Sequence, residues 1–386
     1  MTEARVQDRA RRPHHRPNHR PQCIFHPAID RLRMWSVHLA MLASITTVCI
    51  TTACTDPIQL GRADSEGTNR QETDGNSGAT TTNPWHSMTV PDAEGIRWNA
   101  IHGDDQGRIW VAGSASAVAT YADGAWTTYS AGVFDDFAAV YALSSKDVFV
   151  AGVGGLLFRF DGENWHNIHS ETAELRNEYD DDATSYGSIA SSGADSVYIS
   201  SSASYRGAFP AILTGERDAE GNWTYRPLST EGYGRAHSLN DRYAVGYDDL
   251  WYNIGSTFAS MRKPREGTSN RFSDLWVANI GVFVLSDPNY NGDEILLLNG
   301  QRWLNIRVED KKASIGRFAG DRDGERVFIG GQSGYLGEIV DDVLQTIEPT
   351  TNGRPSLGHL YVSPTTIWAV DGEEIWYRNL PPKPTP

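Results

Sequence analysis

Cysteine is nearly missing from this chain of 386 residues: Cys23, Cys49 and Cys54 are the only three. Everything after Cys54 therefore has no disulfide and no thiol chemistry, and a body of that size can bury a core without covalent staples. Helix-period stretches are also scarce, which argues against a helical bundle or an α/β fold. Beyond the basic leader, whose histidines read as part of a disordered tail, the sequence has no nucleophile elbow, no phosphate-cradling glycine loop and no histidine pair at metal-ligand spacing. That removes enzymes recognisable from a linear motif. A hydrolase or lyase whose active-site residues come from separate segments stays open. Basic charge is the last deficit: from Cys54 onward the chain holds 26 basic against 46 acidic residues, a net −20. Such a body repels phosphate backbones, so nucleic acid is excluded as a partner, and solubility or cationic partners are the natural readings.

What the chain does contain is a recurring unit. An apolar run ends in Gly, a second short apolar run follows, then an Asp-Gly turn, then Trp. It is plainest as Asp147-Val-Phe-Val-Ala-Gly152 with Leu156-Leu-Phe-Arg-Phe-Asp161-Gly-Glu-Asn-Trp165, and as Arg108-Ile-Trp-Val-Ala-Gly113 with Asp123-Gly-Ala-Trp126. Units of about 40 residues built from short strands are the signature of a radial β architecture. The Asp-Gly step supplies the positive φ of a tight hairpin, and Trp on an outer strand can cover the neighbouring sheet. The unit recurs at 98–129, 138–168, from Ile189 to Trp223, and from Leu275 to Trp303. It recurs again around Arg326–Ile347, while a weaker copy around Arg242–Asn253 lacks the terminal Trp. The copy from Leu360 to Tyr377 stops one strand short, and Asn83-Pro-Trp85-His-Ser-Met-Thr-Val90 reads as the missing outer strand. The expectation is an all-β, seven-bladed β-propeller of four-stranded antiparallel blades over 84–380. The N- and C-terminal strands close its ring, which removes an exposed edge. Six or eight blades are the alternatives, and 381–386 form a Pro-rich tail.

Ahead of this domain lie three segments. Residues 1–33 form a basic, disordered leader with eight Arg against three acids, and 34–53 carry no charge. Arg31 and Arg33 followed by this largely apolar stretch and Ala53 read as a signal peptide, with a retained signal anchor as the alternative. Residues 54–83 are polar and read as a flexible tether. Ala53-Cys54 resembles the end of a bacterial lipobox, which implies lipidation of Cys54; Thr51 stands where that family usually has Leu, Val or Ile. Export to the bacterial cell envelope, as periplasmic or outer-membrane-surface protein held by a lipid or signal anchor, is the resulting expectation.

Asp105-Gln-Gly-Arg-Ile-Trp-Val-Ala-Gly113 and Asp321-Arg-Asp-Gly-Glu-Arg-Val-Phe-Ile-Gly330 resemble propeller repeats of extracytoplasmic sensors of the two-component-regulator type. That resemblance implies a ligand- or partner-sensing module, although the transmembrane and kinase parts of such sensors are absent. In a propeller the inter-blade loops and the loops between second and third strands emerge together around the channel mouth. Asp135-Asp136, Asp180-Asp181-Asp182 and Asp248-Asp249 fall on that face. The innermost strands begin with Arg97, Asn99, Ser188, Arg235, His237, Arg271, Arg317 and His359. Of these, Arg235, His237, Arg271, Arg317 and His359 are candidates to grip a carboxylate or sulfate, with structural pairing to acidic loops as the competing use. In the repeated turns before the outer Trp, Asp and Gly are adjacent, which is not the sialidase Asp-box spacing D-x-G-x-x-W. Asp287, Asn289, Asn291 and Asp293 match the first half of a calcium loop, but Ile295 and Leu298 stand where its later ligands belong. No other cofactor is implied. The function expected is a non-catalytic, monomeric binding module for a protein, peptide or glycan at the envelope. The alternative is a propeller hydrolase or lyase with an active site at the channel mouth.

Overall fold

Apolar runs such as Ile109–Gly113 and Asp147–Gly152 are buried along their whole length, as expected for strands covered on both faces. The computed structural model describes residues 84–130, 134–176, 184–201, 211–230, 238–246, 250–255, 257–261, 272–286, 294–308, 315–321, 323–349 and 356–380. The leader, the signal segment, Cys54 and the tether lie outside these residues, as does the tail 381–386.

Strand β1 (His86–Thr89) comes first. The next four are β2 to β5 (Trp98–Gly103, Ile109–Gly113, Ala117–Ala122, Ala125–Ser130), and then β6 to β9 (Phe137–Ser144, Asp147–Gly152, Leu157–Phe160, Trp165–Asn167). After a short helix, α1 (Ile168–Glu171), come β10 to β13 (Tyr186–Gly193, Ser196–Ser201, Ala211–Arg217, Trp223–Thr230). Strands β14 to β17 are the shortest set (Ser238–Leu239, Tyr243–Val245, Leu250–Asn253, Thr257–Ser260). They are followed by β18 to β21 (Phe272–Ala278, Gly281–Ser286, Ile295–Asn299, Arg302–Val308) and β22 to β25 (Ile315–Gly320, Val327–Gly331, Leu336–Val340, Val343–Glu348). Strands β26 to β28 (His359–Val362, Thr366–Asp371, Glu374–Asn379) end the order.

Among the described residues each set of four is an antiparallel meander. Two short parallel contacts, β13 to β17 and β21 to β25, join neighbouring meanders at their outer edges. The last three strands gain their fourth from the other end of the chain: β1 pairs antiparallel with β28, His86 opposite Tyr377. The innermost strands β2, β6, β10, β14, β18, β22 and β26 abut one another in that cyclic order, and β26 abuts β2. The blades below are numbered from β2–β5 as the first to β26–β28 with β1 as the seventh.

The core lies in the seams between blades, and strand alternation feeds it. In β7, Val148 and Val150 pack toward blade 1 while Phe149 and Ala151 pack toward blade 3. In β19, Val282 and Val284 face blade 4 and Phe283 and Leu285 face blade 6. The outer-strand tryptophans Trp126, Trp165, Trp223 and Trp303 each join the seam with the preceding blade. The weak fourth repeat does the same with Phe258 on β17.

Turn chemistry follows the sequence at Asp123-Gly124, where both residues have positive φ, 52° and 80°. Blade 6 makes the same turn with Asp341-Asp342, at 49° and 61°. Asp tolerates this conformation better than most non-glycine residues. The glycines that end the second strands have another cause. A Cβ on Gly152 would stand 2.1 Å from the Asp136 carbonyl oxygen, and one on Gly113 would stand 2.2 Å from the Arg97 carbonyl oxygen. These residues are chosen for close backbone approach.

Two substitutions separate these causes. Gly152→Ala forces backbone apart and should lower stability by about 2–3 kcal/mol. Gly124→Ala, at positive φ in open space, should cost about 1 kcal/mol. Urea denaturation of both variants reads the difference; equal losses would refute the close-approach account.

Candidate functional site

The two ends of the ring are unequal. At one end, where first joins second and third joins fourth strand, the longest connection is 321–326. At the other end the connections include 168–185 and 261–271. Loops of that length positioned by a rigid scaffold are where binding residues concentrate. This end is also where the inner strands begin, so it is the channel mouth named from the sequence.

Among the described residues five inner strands begin with a β-bulge at the same place: near Asn99, Ala138, Gly187-Ser188, Ser273 and Gly316. A bulge re-aims side chains and frees backbone groups from the ladder, and side chains of the preceding blade take up some of those groups. Asn99 Nδ2 donates to the Phe137 carbonyl at 2.9 Å. The Phe318 N–H donates to Asp274 Oδ2 at 2.8 Å. Further down, the Ala142 N–H donates to His102 Nδ1 at 3.2 Å, which places any proton of the neutral ring on Nε2. The His102 ring lies between Tyr141 and Tyr361, with centroids 4.2 and 5.2 Å away.

Of the residues proposed to grip an anion, Arg317 follows the bulge of β22 and His359 opens β26 in the adjacent blade. The structure brings these two together with Asp274 of blade 5, a residue the sequence reading missed. Burial pushes the Asp274 carboxyl above its ordinary range, opposed by the Arg317 guanidinium and by hydrogen bonds from the Phe318 N–H and the Ser238 hydroxyl. Burial also pushes His359 down, to about 3, and the nearby Arg317 charge adds to this. The mouth thus holds a neutral imidazole, a guanidinium and a buried acid contributed by three consecutive blades. A lone Asp in the apolar run Phe272–Ala278, where blades 1 and 2 place Ala100 and Ala139, was the signal available for Asp274.

Arg235, His237 and Arg271 lie outside the described residues, as do Asp287, Asn289, Asn291 and Asp293. Among the described residues no three His, Cys, Asp or Glu side chains are placed to hold a metal ion. Asp180–Asp182 and Asp248-Asp249 are likewise outside. Asp136 is described, and its Oδ1 accepts the Ala115 N–H at 3.1 Å, so it shapes the neighbouring loop. Ser188 is tied through its N–H to Ser200 Oγ at 2.8 Å. Beside Asp135, Phe134 is 96% exposed.

A second recess opens on the outer flank between blades 2 and 3. Its volume is about 360 Å³, and it is lined by Arg159, Asp161, His166, Glu171, Gly221, Asn222, Trp223 and Tyr225. Behind it, buried Asp147 accepts from Arg159 Nε at 3.0 Å and from Arg217 Nη1 at 2.6 Å. Both guanidinium groups lie against the Trp223 ring, 5.4 and 5.7 Å from its centroid.

No family model matches the chain, and no curated protein matches it. Solved structures do. Virginiamycin B lyase from Staphylococcus aureus superposes with a TM-score of 0.57 at 12% identity, over 77% of this chain and 99% of that one. YCF48 bound to D1 peptide gives 0.54 at 17% identity, over 79% and 97%. The extracellular domain of the putative hybrid two component system BT4673 from B. thetaiotaomicron gives 0.53 at 13%, over 75% and 39%. At these identities the likeness establishes the propeller fold alone.

The depressed His359 makes a signed prediction. Its folded-state value lies below its unfolded one, so its contribution to stability is whole above about pH 6.5 and is lost as pH falls toward 3. The slope is at most about 1.4 kcal/mol per pH unit. Asp274, with its raised value, acts in the opposite sense, so the difference between wild type and His359→Gln isolates the histidine. Urea denaturation at pH 7, 5.5 and 4.5 should show the variant gaining on wild type as pH falls; parallel profiles would refute the burial of a neutral His359.

Proposed function

We propose that this chain is a non-catalytic binding module that receives a protein or peptide segment on its channel-mouth face. The observation that carries this reading is the inequality of the two ends: the long connections, the Asp274, Arg317 and His359 group and the exposed Phe134 all belong to one end. Propellers of the same fold include YCF48 bound to D1 peptide and an extracellular domain of a two-component sensor, which supports a binding role. The net charge of −20 after Cys54 favours a cationic partner. The anion-gripping role of Arg235, His237, Arg271, Arg317 and His359 and the calcium loop at Asp287, Asn289, Asn291 and Asp293 belong to this same face as proposals. The module works as a monomer at the bacterial cell envelope. It is exported by the segment 34–53, lipidated at Cys54, and held off the membrane by the tether 54–83; a glycan is the alternative partner.

A second reading, a lyase or hydrolase, is favoured by the fold likeness to virginiamycin B lyase together with a neutral imidazole beside Arg317 and an acid. It predicts turnover of a bound compound that His359→Ala abolishes while binding persists.

Two experiments test the primary reading. A photo-crosslinker at residue 134 should capture an envelope partner that one at residue 301, on the opposite end, does not; equal capture would refute the assignment of the face. Cys54→Ser should move the protein from the membrane fraction to the soluble fraction, and retention in the membrane would refute lipid anchoring at Cys54.

A further inference from the structure

The flank recess between blades 2 and 3 is distinct from the mouth and does not depend on the reading given to it. Its hydrogen-bonding groups are unequally committed. Arg159 spends its Nε and Nη2 donors on Asp147 Oδ1, at 3.0 and 2.8 Å. His166 Nε2 pairs with Asp161 Oδ2 at 2.7 Å, and Asn222 Nδ2 donates to Asp218 Oδ2 at 3.2 Å. Asp161 Oδ1 is taken by the N–H groups of Glu163 and Asn164, and this carboxylate is held below its ordinary range by His166 and by those backbone donors. The Trp223 indole N–H is buried away from solvent.

What remains accessible is a set of acceptors. Glu171 makes no ion pair among the described residues, and it lies near enough to the Tyr225 hydroxyl to oppose its ionisation. Burial keeps that phenol protonated, and the lone pairs of its oxygen can still accept while its O–H donates. The side-chain oxygen of Asn222 completes the set. The Trp223 ring already carries two guanidinium groups, which removes the open aromatic face on which a sugar ring would stack. Within the lining Arg159 is committed to Asp147 and Asp161 to His166, which leaves the Glu171 carboxylate as the charge without an ion-pair partner among the described residues.

From this inventory we infer that the recess binds a single alkyl-ammonium or guanidinium group, carried as the Lys or Arg side chain of an extended partner segment. The cationic head meets Glu171, Tyr225 Oη and Asn222 Oδ1, and the alkyl stem lies along the side of Trp223. A volume of about 360 Å³ admits one such side chain with adjoining backbone.

Calorimetric titration tests this with defined probes: the end-blocked tripeptide Ala-Lys-Ala, the same peptide acetylated on the lysine nitrogen, and agmatine. The free-lysine tripeptide should bind, and acetylation should weaken it about tenfold or more, the scale of a lost charged hydrogen bond. Glu171→Gln should weaken the tripeptide by a similar factor. Glu373→Gln, which removes the same charge at an exposed turn of blade 7, should leave binding unchanged. Tyr225→Phe should weaken binding less than Glu171→Gln, and unchanged melting temperatures establish that each variant is folded. Equal effects of Glu171→Gln and Glu373→Gln, or undiminished binding of the acetylated peptide, would overturn the site. Agmatine binding as tightly as the tripeptide would overturn its assignment to a partner segment.

Discussion

The rest of the structure depends on the apolar seam between adjacent blades. No blade has a core of its own: the second strand divides its residues, alternate side chains serving the seam before it and the seam after it. Burying one Phe or Val at such a place contributes about 1.5–3 kcal/mol, and in β7 Phe149 and Ala151 do this on one side while Val148 and Val150 do it on the other. A ring is the arrangement in which every such strand finds both partners. An open array would leave two half-seams facing water. This is why β1 must pair with β28 from the far end of the chain, and why Met88 and Trp85 beside it reach into the seams flanking blade 7.

Polar groups are organised by the same constraint. Among the described residues neighbouring inner strands share no backbone ladder, and side chains such as Asn99, His102 and Asp274 bond across to the next blade. Farther out, a single repeat position carries a buried ion pair with its polarity reversed. Asp147 sits two residues before Phe149, whose cross-strand partner is Arg159; Arg326 sits two residues before Phe328, whose partner is Glu338. Arg326 Nε and Nη2 meet Glu338 at 2.6 and 2.8 Å in a two-pronged bond. The geometry of the site fixes that a pair is needed, because one unpartnered charge there would cost several kcal/mol. It does not fix which member bears which sign. In blade 2 the pair is extended by Arg217 of blade 3, and the extension creates the back wall of the flank recess.

How far the sequence revealed this follows from what each feature needs. Strand runs, Asp-Gly turns and outer tryptophans are local, and they were readable because one repeat teaches the reading of the next. The role of Gly152 was not readable, since its close approach to the Asp136 carbonyl is a property of the assembled blade. Asp136 looked like part of an acidic face and proves to bond a backbone N–H. Asp274 was hidden in an apolar run because its partners, Ser238, Phe318 and Arg317, come from two other blades. The recess at Glu171 and Tyr225 left no motif at all, as its lining is drawn from two repeats and a helix of four residues.

The same reasoning says where function can vary without loss of the ring. Second strands, which serve two seams, are constrained twice, and inner-strand residues that bond to the next blade are constrained by closure. Arg317 and His359 stand at the edge of that second group: Arg317 touches the closure through Asp274 and His359 lies near Arg317, yet their strand-start positions leave them at the mouth. Glu171 is freer, because its own side chain enters no seam, while the helix that carries it sets Ile168 in the seam between blades 2 and 3. A binding surface at the mouth must therefore evolve in step with ring closure, whereas one on the flank between blades 2 and 3 can change its specificity alone.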